Sequence, residues 1–263
     1  MSDLDRLAAP GFGDARIVHA FTTRKGGVSE GPYESLNLSW SRGDDKANVE
    51  ENRRRLAAAL GGPDLVFLNQ VHGADVVKVD AKPKGRWSAG EADAQMTDRP
   101  GLALCAQTAD CVPVLLFDPV RPAVAAVHSG WRGTVKGVLA ATLAAMKAAY
   151  GCEPATIQAA IGPAISQANY RVGPEVLDQF DRLFGGLDPA LAGPRDDGGG
   201  AGLDVAEACR RQLIAAGVRE DAIVRIKRCT FEERDLFFSC RRAAQEGHAG
   251  AFGGQAGVIA LKA

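Results

Sequence analysis

The sequence predicts an α+β fold with a mixed, largely covered sheet, on three observations. Between residues 102 and 128 three nearly continuous apolar runs follow one another, at 102–106, 112–117 and 123–127, as strands buried on both faces do. Helical segments precede and follow that block without a strict βαβ beat. Of 263 residues, 46% are apolar and 24% charged, the balance of a globular chain able to bury about three quarters of its unfolded surface. One domain over 1–263 is expected.

In chain order, 16–22 (RIVHAFT) is a strand by its β-branched and aromatic content. A long Gly- and Ser-rich loop, 23–38, follows; loops of that length inside a compact domain tend to be functional. Residues 47–60 form a helix, capped by Asp44 or Asp45 and ended by Gly61-Gly62. Strands at 65–70 and 74–79 flank a turn at His72-Gly73, and 82–90 is a polar connector. After the apolar runs, 133–150 reads as one Ala-rich helix stopped by Gly151. A strand at 157–161 ends in Gly162-Pro163, and 174–184 is a helix with Pro174 in its first turn. Low complexity predicts a mobile loop over 185–202. A helix at 203–216 and strands at 222–226 and 257–261 close the chain.

A net charge of −1 provides no field to gather nucleic acid or an anionic membrane. The N-terminal stretch opens with acidic residues and lacks an apolar h-region, and no run reaches the length of a membrane span. A cytoplasmic protein is expected, and its six cysteines are expected to be reduced, most of them small core fillers. With four histidines in the chain, each one carries weight.

His72 lies in a tight turn between two strands, Cys111 where one buried run yields to the next, and His128 at the end of a third. Side chains at strand ends are those a rigid sheet presents to a cleft. Two imidazoles and a thiolate suit zinc, with the fourth tetrahedral position left for water or substrate. Zinc in such a site lowers the pKa of water towards ~7 and polarises a substrate atom. Asp75 and Asp110 stand beside two of these residues in sequence, where either could orient an imidazole or carry a proton. No compact spacing such as CxxC or HExxH ties the three together, and a cysteine in an apolar run is commonly core, so both readings stay open on the residue pattern.

Two basic, glycine-bearing segments form a second feature. Arg24-Lys25-Gly26-Gly27 follows the first strand, and Arg132-Gly133 opens the Ala-rich helix. Such loops and helix starts can cradle phosphate, although an ordinary turn with exposed charge looks the same. Segment 225–242 gathers cations around Phe231, Phe237 and Phe238; a helix or strand with a solvated basic face explains it better than a nucleic-acid patch. The spacing of Cys229, Cys240 and His248 supports no second metal site.

The ordered set TRKGGVSEGPYESLNL, NQVHGADVV, ADAQMTDRPGLALCAQTADCVPVLLFDP, AVAAVHSGWRGTVKGV, IGPAISQANYRVGPEV and RCTFEERDLFFSCRR spans almost the whole chain. It resembles the YfiH-type family, once called laccase-like polyphenol oxidases and now seen as zinc-containing purine nucleoside phosphorylases with adenosine deaminase activity. The resemblance implies a layered α/β/β/α core with mixed sheets and His72, Cys111 and His128 as metal ligands. It implies phosphorolysis of adenosine, inosine, guanosine and methylthioadenosine, and deamination of adenosine. By position, Arg24, Lys25 and Arg132 would receive phosphate or ribose. Purine nucleosides and inorganic phosphate are the expected partners, with the chain a monomer or weak homo-oligomer. Four places depart from the family pattern: Ser129 for alanine, residues 164–166 (AIS) where a cysteine is common, Arg171 for an acid and Ala251 for arginine. None touches the three ligands.

Two other chemistries fit the same residues. A Cys-His hydrolase would use Cys111 as nucleophile and His128 as base, and peptidoglycan-precursor editing could use either this chemistry or the metal. Copper in the site would suit a polyphenol oxidase, although two histidines and one thiolate are too few for several coppers. The H-x-E…CxxC signature of the common zinc deaminases is absent.

Overall fold

The computed structural model describes residues 4–83 and 88–262. In chain order the strands are β1 (Arg6–Leu7), β2 (Ile17–Thr22), β3 (Asp64–Asn69), β4 (Val76–Lys78), β5 (Ser88–Glu91), β6 (Ala94–Thr97), β7 (Leu102–Thr108), β8 (Val112–Asp118), β9 (Ala123–Ser129), β10 (Gln158–Ile161), β11 (Arg171–Val172), β12 (Ala201–Gly202), β13 (Ile223–Arg225) and β14 (Gln255–Leu261). The helices are α1 (Lys46–Ala59), α2 (Trp131–Val135), α3 (Val138–Tyr150), α4 (Pro174–Phe184), α5 (Val205–Ala215) and α6 (Cys240–Gln245).

Two six-stranded sheets, ordered β1-β2-β14-β7-β3-β5 and β13-β10-β8-β9-β6-β4, mix parallel and antiparallel pairs. Between them Phe21, Leu104, Phe117, Val124 and Ile259 form a shared apolar layer. Leu56 and Leu60 of the α1 segment pack on the outer face of the first sheet with Leu65, Phe67 and Cys105. Leu143, Leu177 and Leu213 from α3, α4 and α5 pack on the outer face of the second with Val114 and Val127. The order is helix, sheet, sheet, helices: the fold is α+β with a layered α/β/β/α core. Strands β8 and β9 are buried along their whole length, as two covered faces require.

The differences from the sequence reading have local causes. The expected helix at 133–150 is two helices, because Gly137 takes φ 80° and turns the chain; a left-handed turn costs glycine little, and the alanine-rich stretch that follows masks the break. Segment 185–202 is tied into the fold: Leu191 and Ala192 are buried, and Gly193 and Asp196 donate to the carbonyls of Gly202 and Gly200. Segment 225–242 is mostly turns followed by the start of α6, not one helix or strand. Its cations hold those turns, Arg225 on Asp204, Arg228 on Glu233 and Arg242 on the carbonyls of Thr230, Phe231 and Phe237. Of the polar connector at 82–90, residues 84–87 lie outside the described residues and 88–90 belong to β5. Strand β6 has no counterpart in the sequence reading. No helix among the described residues is long and apolar enough to cross a membrane.

Candidate metal centre

Three strand ends meet at one edge of the sandwich. His72 occupies the turn after β3 with φ 58°, and Asp110 precedes Cys111 in the β7–β8 turn with φ 95°. These are the only non-glycine residues with positive φ among the described residues. Left-handed backbone at such residues costs about 1–3 kcal/mol and persists where the surroundings impose it. Here carboxylates impose it. Asp93, beside β6, accepts hydrogen bonds from the backbone N–H groups of Val71, His72 and Gly73. Asp110 turns its own oxygens to Thr230 Oγ1 at 2.7 Å, Ser239 Oγ at 3.0 Å and the Arg241 N–H at 2.7 Å.

The turns bring His72, Cys111 and His128 together, with one ligand atom of each within 4.8 Å of the others. Cys111 Sγ lies 3.9 Å from His72 Nε2, and the two imidazoles stand 4.9 Å apart, nearly perpendicular at 86°. His128 Nδ1–H donates to Asp93 Oδ1 at 2.7 Å, which leaves the other ring nitrogen for the cluster. Gly130 supplies the space: a Cβ there would sit 2.9 Å from His72 Cδ2 and 3.0 Å from Cys111 Sγ. Burial alone would raise the Cys111 thiol, yet His128 first and then His72 bring it down to about 6. Burial opposes charge on His128, and the neighbouring thiolate and Asp93 raise it to about 9. Asp93 is held below its usual range because its hydrogen bonds from His128 and Gly73 overcome its burial. A thiolate ready to form and two imidazoles, one oriented by a carboxylate, fit a borderline-soft divalent cation, and three protein donors leave a position open. The three side chains are a possible metal site.

The site opens into a cleft of about 380 Å³. Of the other residues singled out from the sequence, Asp110 lines it, whereas Asp75 is exposed and offers its carbonyl to the Asp93 and Ala94 N–H groups. Arg24 lines a neighbouring depression, stacked 4.7 Å from Phe238 and donating to the carbonyls of Glu34 and Arg234. Lys25 is exposed, and exposed Arg132 lies over the Trp131 ring. Asp93 escaped sequence reasoning. It sits in a mixed polar and small stretch, 91–98 (EADAQMTD), that gives no local signal of its role.

The departures from the family pattern have local partners. Ser129 Oγ meets Thr134 Oγ1 at 2.8 Å and ties β9 to α2. Ser166 accepts from Cys229 and Asn169, and Arg171 pairs with Asp196. Ala251 lines the depression that holds Arg24.

The family model for multi-copper polyphenol oxidoreductase laccase matches residues 18–262. The chain belongs to this YfiH-type, laccase-like family. Within it, a purine nucleoside phosphorylase of Corynebacterium glutamicum is 41% identical over 245 residues, 92% of this chain and 93% of that protein. The purine nucleoside phosphorylase YfiH of Escherichia coli is 37% identical over 251 residues, 95% of this chain and 98% of that one. Among solved structures, YlmD from Geobacillus stearothermophilus superposes with a TM-score of 0.88 at 36% identity, covering 97% of this chain and 94% of that one.

Proposed function

We propose that the chain is a purine nucleoside phosphorylase that uses zinc held by His72, Cys111 and His128. The observation carrying this reading is the convergence of the three donors on a cleft large enough for a nucleoside, in a chain whose relatives bear that activity in their names. A phosphate oxygen forms a bond to the anomeric carbon as the bond from that carbon to the purine breaks. The electron pair leaves with the base, which takes up a proton, and ribose 1-phosphate remains. Bound zinc would supply Lewis acidity towards a substrate oxygen or nitrogen. Asp93 fixes the His128 ring, and Gly130 keeps the approach to His72 and Cys111 clear.

Adenosine, inosine, guanosine and methylthioadenosine are the proposed substrates, with hydrolytic deamination of adenosine as a second activity. Of the two acids, Asp75 faces outward, and Asp110 lines the cleft with its oxygens held by Thr230, Ser239 and the Arg241 N–H, so a proton-moving role for Asp110 would require it to release one of them. Arg24, Lys25 and Arg132 lie outside the lining of the main cleft, so any part they take in phosphate or ribose binding would act at its approaches. We read the protein as one cytoplasmic domain, a monomer or weak homo-oligomer. Ribose 1-phosphate should form from inosine in a zinc-replete sample only when phosphate is present, and base release independent of phosphate would refute the reading.

One observation favours a Cys-His hydrolase instead: Cys111 and His128 form a pair in which the thiol is lowered and the imidazole raised. Elemental analysis separates the two. One zinc per chain occupies the thiolate, whereas a metal-free, alkylatable Cys111 in active protein favours the hydrolase. Copper oxidation has less support, since the described residues hold a single group of three metal-binding side chains.

A further inference from the structure

Most arginines of this chain are tied to carboxylates: Arg54 and Arg55 to Glu51, Arg210 and Arg211 to Glu207, Arg171 to Asp196. Two that line the cleft, Arg42 and Arg241, have no carboxylate partner among the described residues. Arg42 lies 4.5 Å over the Phe252 ring; Arg241 lies 4.9 Å over Tyr170 and spends one N–H on the Arg171 carbonyl at 3.0 Å. A guanidinium carries five N–H donors, so most of theirs are uncommitted. The same cleft is lined by Thr108, 4% exposed, whose hydroxyl has no hydrogen-bond partner, and by Gln107, whose buried Nε2 has none either. Thr108 shares the strand face of Leu104 and Ala106 and extends their row to the cleft. A buried polar group left unpaired is costly enough that its place in a ligand cleft is informative.

We propose that Arg42, Arg241, Thr108 and Gln107 form an oxyanion subsite within the cleft, built to take a phosphoryl group. Its chemistry is almost entirely that of donors: two planar forks matched to phosphate oxygens, an amide N–H and a hydroxyl. The one acid lining the cleft does not compete, because Asp110 turns its oxygens to Thr230, Ser239 and the Arg241 N–H. A neutral purine or ribose presents donors as well as acceptors and suits this wall less well than an anion presenting acceptors alone. Taking the anion to be the attacking inorganic phosphate rests on the phosphorylase reading; the selectivity of the wall does not.

The test is calorimetric titration of the zinc-replete protein with inorganic phosphate, repeated for R42Q, R241Q and T108V, with R182Q on the far surface of α4 as control. Each arginine variant should weaken phosphate binding about tenfold or more and T108V about threefold. KM for phosphate should rise in parallel while KM for inosine and zinc content hold, readouts that a general loss of structure would not separate. R42K should recover only part of the affinity, since it restores charge without the fork. Phosphate binding unchanged in both arginine variants, or absent from the wild type along with binding of inosine 5′-monophosphate, overturns the subsite. Arginine-dependent binding of the monophosphate in preference to phosphate keeps the subsite and assigns it to an ester. Arginine-dependent phosphate binding without ribose 1-phosphate formation keeps the subsite and removes the phosphorylase reading. Phosphorolysis with KM for phosphate untouched in R42Q and R241Q does the reverse.

Discussion

Cys105 and Cys111 stand at the middle and just past the end of one buried strand, and they differ in almost everything that governs a thiol. Cys105 faces the layer under α1, packed with Leu65, Phe67 and Val258, and burial pushes its thiol to about 12 despite the nearby Arg53 guanidinium. Cys111 is partly buried, with the cleft beside it, and its thiol falls to about 6. The difference lies in what the end of the strand can gather. A sheet interior surrounds a side chain with packed aliphatic groups, whereas the turns at its edge admit two imidazoles and the carboxylate behind one of them. Burial makes a cysteine inert, and burial among cations makes it a ligand or a nucleophile.

That contrast can be broken most forcefully at the thiols themselves. C111S should abolish stoichiometric zinc and cut activity more than about a hundredfold, beyond the effect of losing a supporting residue. C105A should keep metal and turnover and lose about 1 kcal/mol of stability to urea. Equal effects in the two variants would erase the distinction. D93N comes next. It replaces one of the two oxygens that together accept from His128 and three backbone N–H groups with an NH2 that can only donate, so zinc affinity should drop about 10–100-fold, with roughly 2 kcal/mol of stability lost. An unchanged affinity by competitive chelator titration would show that the carboxylate is not needed to orient the ring. In G130A the added methyl would press on His72 and Cys111. Zinc affinity should weaken about tenfold with little change in unfolding. The smallest effect belongs to a control outside the lining of the cleft. Glu207 is held below the usual carboxylate range by Arg210 first and Arg211 second. Its contribution is therefore present above its unfolded pKa and is lost as pH falls through the lower folded value. Urea midpoints for E207Q should show a flatter acid limb, by no more than about 1 kcal/mol, with zinc binding intact.

Of the three side chains of the possible metal site, Cys111 and His128 stood out because β8 and β9 are written as unbroken apolar runs, whereas His72 in its turn gave no such signal, and the family resemblance tied the three together. Asp93 was not legible, because it acts through space on a turn and a strand from elsewhere in the chain, and no local spacing encodes that. Residues 133–150 failed for a related reason: the alanines from Ala140 onward favour helix, and the turn at Gly137 depends on packing that composition does not carry. Residues 185–202 read as loose from their glycines, yet Leu191 and Ala192 are enough to anchor them in the core. The anion wall was invisible in sequence, since Arg42, Thr108 and Arg241 meet only after both sheets have formed.

His72 follows a strand of one sheet, whereas Cys111 and His128 flank and end strands of the other. An ion gripped by all three would therefore act as a rivet between layers joined by apolar contact and by buried hydrogen bonds such as those from Gln95 to the Val66 and Cys105 carbonyls. Folding and loading then become one equilibrium: stability climbs with the free ion as RT ln(1 + [M]/Kd), about 2.7 kcal/mol at a hundredfold excess over Kd. Scarcity of the ion would cost the cell durability of the protein as well as turnover.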